Sequence, residues 1–246
     1  MRVLHNQFNH FDNVLASIEL FGRATTPSAL IEGIKTMAAG YGYTRFLFAA
    51  APNFTRREFD QLVLLRHWPD QWFKEYLHEE FHQHDPIAAH ARGQCKGFAW
   101  TDAPLDPHAA KTAHVMEAAR NYDMRQGLCI PVHGMHGYEA AISFAGPDVD
   151  CTAQANAAME LVALYAMNQL MRLRAKERTE QAVLSVREKE VLTWAAIGKT
   201  AWDTGCILSI STDTVNKHMA SAMRKLKAYT KTQAVAESLR RGEIQL

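Results

Sequence analysis

Polar side chains towards the C-terminal end of the chain could contact nucleic acid. Asn216 and Lys217 are adjacent, and Arg224 follows two helical turns later. Asparagine can pair with adenine edges, whereas lysine and arginine bind guanine edges or phosphates. Upstream, Lys199 and Thr200 would suit a phosphate group. The predicted nucleic-acid contacts are Lys199, Thr200, Ser211, Thr212, Asn216, Lys217, Ser221 and Arg224.

A second stretch has the residue types of a zinc site. His78, Glu79 and His82 match the HExxH pattern, in which two imidazoles one helical turn apart bind zinc and the glutamate acts as general base. His84 is too close in sequence to be a useful third ligand. A zinc hydrolase is therefore an alternative function, but we favour solvated histidines at a helix end and predict no metal site.

Three helices would position the C-terminal polar residues. The first covers Val186–Ala196, with Ser185 and Glu188 at the spacing of a capping box. A short helix at 201–208, a turn at 209–211 and a third helix then form the helix-turn-helix pattern, which places its last helix in the DNA major groove. The predicted core of this module is Val191, Leu192, Trp194, Ile207, Leu208, Ile210, Val215, Met219 and Leu226.

Length and charge favour two domains with different partners. The 246 residues are long for one domain, and 48% apolar and 22% charged residues are typical of a globular protein. Residues 183–246 contain 10 Lys and Arg against 6 Asp and Glu, although the whole chain carries a net charge of only +1. A basic C-terminal region joined to an acidic body fits a phosphate-binding module attached to another domain.

Cysteine usage and hydropathy point to the cytoplasm. The 4 cysteines form no CxxC pair, which argues against a disulfide framework or a structural zinc site. The N-terminus lacks the apolar segment of a signal peptide, and no window is apolar enough to span a membrane. We therefore expect a cytoplasmic protein without a membrane partner.

The remaining residues predict an antiparallel sheet covered by helices, an α+β fold. Apolar runs at 45–50, 61–66, 98–100, 127–132 and 138–144 are typical of short strands. A turn is predicted at Pro52-Asn53, and a hairpin connection at 133–137. Amphipathic helices are predicted at 5–21, 28–39, 70–80, 87–91, 108–121 and 152–173. The charged run 172–182 is predicted to be a linker between domains of residues 1–171 and 183–246.

The C-terminal motifs resemble the DNA-binding domain of the LuxR family of quorum-sensing transcription factors. The resemblance covers residues 184–246 and rests on REKEVLxW at 187–194, ILSIS at 207–211 and the family's most characteristic positions, Glu188, Leu192 and Gly198. The chain departs from the family at 203–205, where Asp-Thr-Gly replaces the usual Glu-Ile-Ala. Since glycine weakens a helix by about 1 kcal/mol, we expect a module of marginal stability.

The N-terminal region resembles the acyl-homoserine-lactone-binding domain of the same family. The matching residues, in order and spacing, are Trp72, Tyr76, Asp85-Pro86, Trp100, Gly127 and Ser143. The resemblance implies an α/β/α sandwich with a central antiparallel sheet, followed by an all-α helix-turn-helix domain. It also implies a ligand enclosed between the sheet and the helices.

The donors and acceptors of a homoserine lactone assign roles to these residues. The Asp85 carboxylate suits the amide N–H, and the Trp72 indole, which only donates, suits the lactone carbonyl. The hydroxyl groups of Tyr76 and Ser143 suit the amide carbonyl. The walls of the predicted site are completed by Trp68, where many relatives carry tyrosine, and Trp100.

The resemblance implies a ligand-responsive transcription factor and not an enzyme. An N-acyl or N-aroyl homoserine lactone would be the signal ligand, and no catalytic residue or cofactor is predicted. A homodimer would bind promoter DNA. Packing of Leu47, Val63, Ile87 and Met135 would determine which acyl or aroyl group fits.

Two further classes of protein share parts of this sequence pattern. A response regulator shares the terminal domain, but residues 1–170 lack the early acidic cluster and late lysine of a receiver domain. A DNA-binding relative that does not respond to ligand is compatible with the same motifs.

Overall fold

The computed structural model describes residues 2–51, 58–104, 110–134, 137–180 and 183–245, with the backbone alone for 2–11, 110 and 177–180. The chain divides into two compact units, Met1–Leu173 and Arg174–Leu246. The turn predicted at Pro52-Asn53 and the residue Met135 lie outside the described residues, as do 105–109, where the helix predicted at 108–121 would begin.

The first unit is built on an antiparallel sheet with strand order β2-β1-β5-β4-β3. Its strands are β1 Arg45–Ala50, β2 Val63–His67, β3 Phe98–Ala99, β4 Gln126–Gly134 and β5 Gly137–Gly146. Its helices are α1 Arg2–Arg23, α2 Pro27–Ala39, α3 Phe59–Leu62, α4 Asp70–His78, α5 Pro86–Ala91, α6 Ala110–Arg120 and α7 Ala153–Glu180. Single turns of 3-10 helix cover Phe81–Gln83 and Trp100–Asp102.

The two faces of the sheet are occupied differently because side chains alternate along each strand. Phe46 and Phe48 of β1 and Phe144 of β5 pack in one core with the buried residues of α1, α2 and α7. The intervening residues Leu47 and Ser143 are Cα partners across the same strands and point to the opposite face. Helices cover both faces, so the predicted α/β/α sandwich is confirmed.

Among the boundaries in this unit that differ from the predictions are those of β2 and α7. A turn of helix, α3, precedes β2, so the strand begins at Val63 instead of residue 61. Helix α7 continues to Glu180, so residues 172–180 of the predicted linker are helical. This run contains neither glycine nor proline and is rich in Arg, Lys, Glu and Leu, which are good helix formers, and its charge alone had suggested a linker.

After the end of α7, the second unit contains four helices in the described residues: α8 Val186–Ala196, α9 Ala201–Leu208, α10 Thr212–Leu226 and α11 Lys231–Arg240. Ser185, Thr200, Ser211 and Thr230 each accept a backbone N–H at a helix N-terminus. The predicted capping box of Ser185 and Glu188 is present. Helix α11 was not predicted as an element; it buries Ala234 in the core of the unit.

The core of this unit contains only part of the predicted set. Val191, Leu192, Val215, Met219 and Leu226 are buried together, with Leu208 and Ile210 packed against them. The prediction was wrong for Ile207, which is 45% exposed, and for Trp194, which is half-buried outside the cluster. Helix α9 buries Thr204 and Gly205, so Ile207 lies on its outer face. Within the described residues, no helix is both long and apolar enough to cross a membrane.

Candidate ligand cavity and nucleic-acid interface

A cavity of about 150 Å³ lies between the sheet and helices α3 to α6. It occupies the face of the sheet opposite the core of α1, α2 and α7. All six predicted ligand-binding residues line it: Trp68, Trp72, Tyr76, Asp85, Trp100 and Ser143.

Three aromatic rings form one wall of the cavity. Helix α4 carries Trp72 and Tyr76 one turn apart, and their ring centroids are 5.6 Å from each other at an angle of 68°. Trp68 contacts both rings, with its centroid 5.1 Å from that of Tyr76. The two contacts with Tyr76 are edge-to-face, an arrangement that is favoured between aromatic rings. They fix the orientation of the Trp72 indole.

The Trp72 indole nitrogen is a hydrogen-bond donor buried in the cavity wall. The side chain is 2% exposed, and Nε1 has no hydrogen-bond partner among the described residues. An unsatisfied buried donor costs about 1–3 kcal/mol, because it has lost its hydrogen bond to water. A ligand carbonyl in the cavity could satisfy it.

Asp85 is held by hydrogen bonds at both carboxylate oxygens. It is the N-cap of α5, where Oδ1 accepts from the backbone nitrogens of Ile87 at 2.8 Å and Ala88 at 3.2 Å. Oδ2 accepts from the Tyr76 hydroxyl at 2.8 Å. Burial raises the pKa of Asp85, while these three hydrogen bonds act to lower it. The carboxylate has a fixed orientation with lone pairs left to accept a ligand N–H.

Tyr76 differs from its predicted role. Its one proton is donated to Asp85, so in this arrangement it cannot also be donated to a ligand carbonyl. The structure makes Tyr76 a residue that orients Asp85.

Trp100 and Ser143 form a second polar pair on the cavity wall. The Trp100 indole Nε1 donates to the Ser143 hydroxyl oxygen at 3.1 Å. Ser143 can therefore use its own proton for a ligand acceptor. Gly127 makes this placement possible, since a Cβ atom there would overlap the Trp100 ring and the Phe144 carbonyl.

The HExxH stretch does not form the helical zinc motif. Helix α4 ends at His78, and Glu80 has a left-handed conformation with φ of 51°. The two imidazoles are therefore not on one helical face. In the described residues, no group of three or more His, Cys, Asp or Glu side chains could hold a metal ion.

The two histidines of this stretch have different environments. The His78 side chain is 86% exposed, as expected of a solvated histidine. For His82 that expectation was wrong: the imidazole is stacked on Phe59 at 5.4 Å and lines the cavity. Its Nδ1 is buried and has no partner among the described residues.

Other cavity residues were missed by the sequence reasoning. They include Phe59, Arg92, Met116, Cys129 and Tyr138. Cys129 could have been found from the sequence, because it pairs with Ser143 across β4 and β5. Tyr138 could not be placed in this way, because the register shifts between Val132 and His133, and His133 is the partner of Tyr138. Of the predicted acyl-group residues, Leu47 and Ile87 line the cavity and Val63 does not.

Helix α10 presents most of the predicted nucleic-acid contacts to solvent. Thr212, Asn216, Lys217 and Arg224 are exposed. The Lys217 ammonium lies 2.7 Å from a carboxylate oxygen of Asp213, one turn earlier on the same surface. Ser221 is half-buried and hydrogen-bonds to the Glu188 side chain.

The predicted contacts at the helix N-termini also have structural roles. Thr200 caps α9, and its hydroxyl donates to Asp203 Oδ2 at 2.6 Å. Ser211 caps α10 by accepting from the Thr214 backbone nitrogen at 3.1 Å. Lys199 is exposed immediately before Thr200. Thr200 and Ser211 therefore orient the starts of α9 and α10, the two helices of the motif.

Glu188 fixes α8 against α10. The carboxylate is 4% exposed and accepts from Lys225 Nζ at 2.8 Å and from the Ser185 backbone nitrogen at 2.6 Å. Burial would raise the pKa of Glu188, but hydrogen bonds from Lys225, Ser185 and Ser221 lower it to about 2. The ion pair therefore sets the position of the helix that carries Asn216.

Comparison with protein families gives two matches along the chain. Residues 26–170 match the autoinducer binding domain, and residues 182–238 match the bacterial regulatory proteins of the luxR family. Together these matches cover both compact units.

Two curated proteins are similar over most of the chain. The quorum sensing-dependent transcriptional regulator RpaR of Rhodopseudomonas palustris is 39% identical over 219 residues, covering 89% of each chain. The transcriptional activator protein BjaR1 of Bradyrhizobium diazoefficiens is 36% identical, covering 81% of this chain and 83% of its own. Among solved structures, Escherichia coli SdiA shares the fold with a TM-score of 0.73 at 22% identity, covering 96% of this chain and 99% of that one.

Proposed function

Because the chain belongs to the LuxR family of quorum-sensing transcriptional regulators, we propose that its autoinducer is an N-acyl or N-aroyl homoserine lactone. The autoinducer-binding domain takes up this signal, and the helix-turn-helix domain binds promoter DNA as part of a homodimer. The family consists of transcriptional regulators and not enzymes.

The unsatisfied indole nitrogen of Trp72 carries the ligand proposal. It is a donor buried in the cavity wall, and the lactone carbonyl is the acceptor that we assign to it. Asp85, oriented by Tyr76, then accepts the amide N–H. The Ser143 hydroxyl, which already accepts from Trp100, donates to the amide carbonyl. The three polar groups of the ligand each have one partner of matching character.

An apolar stripe on α7 supports the homodimer. Leu161, Leu164, Tyr165 and Met171 are exposed on this helix. They recur at the three- and four-residue spacing of one helical face. A second copy of the chain is the partner we assign to this stripe, because helix-turn-helix proteins bind two-fold-related half-sites as dimers.

The exposed surface of α10 supports DNA recognition. Asn216 and Lys217 lie on the outer face of the helix, where base edges would be reached from the major groove. Lys199 and Arg224 supply charge for phosphates. Because relatives such as BjaR1 are named transcriptional activators, we propose that this protein activates transcription. We propose that it does so in the cytoplasm.

Purification of the full chain with and without a panel of N-acyl and N-aroyl homoserine lactones tests the ligand. Ligand that binds only the folded state stabilises it by about 4 kcal/mol at a thousandfold excess over its dissociation constant, so the melting temperature should rise. Asp85→Asn should reduce this rise, while Asn216→Ala should retain it and lose binding to sequences selected from a randomised DNA pool. Equal melting and equal DNA binding with and without every lactone would instead indicate a relative that does not respond to this class of ligand.

A further inference from the structure

The cavity has two distinct ends along the sheet. At one end, Ala145 of β5 belongs to the apolar cluster of Trp72 and Tyr76. At the other end, Ala141 packs against the cluster of Ile87 together with Tyr138. Residues two apart on one face of a strand are about 7 Å from each other, so Ser143 lies between the two ends.

The proposed ligand contacts occupy the first end and the middle of the cavity. Trp72 belongs to the first end, and the Trp100–Ser143 pair and Asp85 follow. A ligand whose lactone contacts Trp72 and whose amide contacts Asp85 therefore extends its acyl group towards Ala141 and Tyr138. The residues at this second end decide which acyl terminus is accepted.

The second end carries hydrogen-bond donors of its own. Tyr138 and Arg92 both line the cavity. Within the ranges that the structure describes, the Tyr138 hydroxyl has no hydrogen-bond partner and Arg92 has neither a hydrogen bond nor an ion pair, although the charge of Arg92 acts on the tyrosine. Burial raises the pKa of Tyr138 to about 12, with Cys129 and Asp85 adding to the rise and Arg92 opposing it, so the phenol is a neutral donor at physiological pH.

We propose that the end of the cavity formed by Arg92 and Tyr138 binds an anionic oxygen group, a carboxylate, at the acyl terminus of the ligand. This inference rests on the proposed function and names the chemistry of the part of the ligand that the family does not specify. Arg92 is exposed overall, so the group would lie at the mouth of the cavity, where a carboxylate keeps part of its hydration.

A carboxylate should bind at this end more tightly than a methyl group because only the carboxylate can form hydrogen bonds with Arg92 and Tyr138. A methyl group in front of the guanidinium removes water from Arg92 and returns no hydrogen bond. A carboxylate can accept two parallel N–H groups from arginine and a third bond from the phenol. The surrounding wall of Ile87, Ala88 and Ala141 accommodates the methylene groups of the chain in both cases.

Matched pairs of homoserine lactones test the proposal on the full-length protein. Each pair has a straight acyl chain of one length that ends in either a methyl group or a carboxylate, and several lengths are compared. Dissociation constants are measured by ligand-dependent melting and by calorimetry. At the length that reaches Arg92, the carboxylate ligand should bind about tenfold more tightly, the effect of one charge-assisted hydrogen-bonded pair.

Three variants assign the preference to its residues. Arg92→Met should abolish the carboxylate preference by weakening binding of the carboxylate ligand, and it should bind the methyl ligand at least as tightly as the wild type because no guanidinium is then desolvated. Tyr138→Phe should reduce the preference by about threefold. Lys96→Met is the control, because Lys96 is an exposed cation nearby in sequence that does not line the cavity, and it should retain the full preference.

The outcomes separate this inference from the proposed function. Binding of the methyl ligands with no carboxylate preference at any chain length would overturn the inference and leave the proposed function intact. A preference that Arg92→Met and Lys96→Met reduce equally would also overturn it, because it would then arise from general surface charge. Failure of every lactone to bind would overturn both.

Discussion

At the scale of single residues, the binding site depends on hydrogen bonds that orient other side chains. Tyr76 was expected to contact the ligand directly, but it donates to Asp85. Gly127 has no side chain with which to contact a ligand, yet any side chain there would displace the Trp100 ring. His82 had the spacing of a metal ligand and instead stacks on Phe59 in the cavity wall. Residue type and spacing located these positions, whereas their roles follow from their neighbours in space.

The hydrogen bond between Tyr76 and Asp85 gives a prediction about pH. It lowers the pKa of Asp85 against the rise caused by burial, so Tyr76→Phe should raise that pKa further. The carboxylate form must be present to accept the ligand amide, so lactone affinity should fall as the pH falls through the pKa of Asp85, and at a higher pH in the variant. Calorimetric titration of lactone between about pH 4 and 8 measures the shift.

Without ligand, the stability of the folded protein should depend on pH in the opposite sense to the lactone affinity, because the Asp85 contribution to stability falls as the pH rises. A carboxyl whose pKa is raised by folding contributes stability that is present below its unfolded pKa and is lost as the pH rises through its folded pKa. Tyr76→Phe should raise the pKa of Asp85 in the folded protein, so this loss of stability should occur at a higher pH in the variant. Phe73→Leu, on the same helix and outside the cavity, is the control. The orienting role would be contradicted by identical pH profiles of affinity in the wild type and in Tyr76→Phe.

At the scale of elements, helix α9 shows why helix propensity alone was misleading. Gly205 was expected to weaken this helix by about 1 kcal/mol relative to alanine. In the structure it is buried where the turn into α10 crosses, and its carbonyl accepts from the Ile210 backbone nitrogen at 3.0 Å. An added Cβ would lie 2.7 Å from the Ile210 carbonyl oxygen, which is closer than real Cβ contacts. The glycine thus permits the close approach of the turn.

Gly205→Ala should therefore destabilise the DNA-binding unit despite its better helix propensity. Overpacking against backbone costs about 1–3 kcal/mol, which exceeds the gain of about 1 kcal/mol from propensity. Urea unfolding of the full chain, followed by a probe in this unit such as Trp194 or Trp202 fluorescence, measures the change. Cys206→Ala, at the next and exposed position of the same helix, is the control. Equal or greater stability of Gly205→Ala would show that the turn can move at little cost.

At the scale of the whole molecule, the exposed stripe on α7 gives a prediction about assembly. Leu164→Glu places a charge in the middle of the apolar stripe that we assign to the second copy. Because a charge would have to be desolvated in such an interface, the dimer should dissociate at concentrations about a hundredfold higher than for the wild type. Sedimentation of the full chain in the presence of lactone measures the association.

The matched control for this substitution is Leu15→Glu on α1, since Leu15 has a similar exposed fraction and lies on a different helix. It should leave the association unchanged. Leu164→Glu should also weaken binding to a palindromic site much more than binding to a half-site, because only the paired site uses both copies. An unchanged association constant in Leu164→Glu would exclude this stripe as the dimer interface.

Motifs in the sequence by themselves determined the family, the fold class and the six ligand-cavity positions. Such motifs can be recognised because their residues are close in sequence or occur in a fixed order. In the capping box, for example, Ser185 and Glu188 are three residues apart, and this spacing alone predicts the hydrogen bonds at the start of α8. The short apolar runs at 45–50, 127–132 and 138–144 likewise predicted β1, β4 and β5, because a short apolar run bounded by turn residues is typical of a buried strand.

Only the tertiary structure decided how these residues act on one another. The donor to Asp85, the acceptor of Trp100 and the unsatisfied nitrogen of Trp72 depend on side chains brought together from different elements. The same is true of Arg92 and Tyr138, which are far apart in sequence and both line the cavity. The strength of a hydrogen bond and the cost of desolvation both change when two groups move by a few ångströms. The distance between groups from different elements is set by packing and not by their spacing in the sequence.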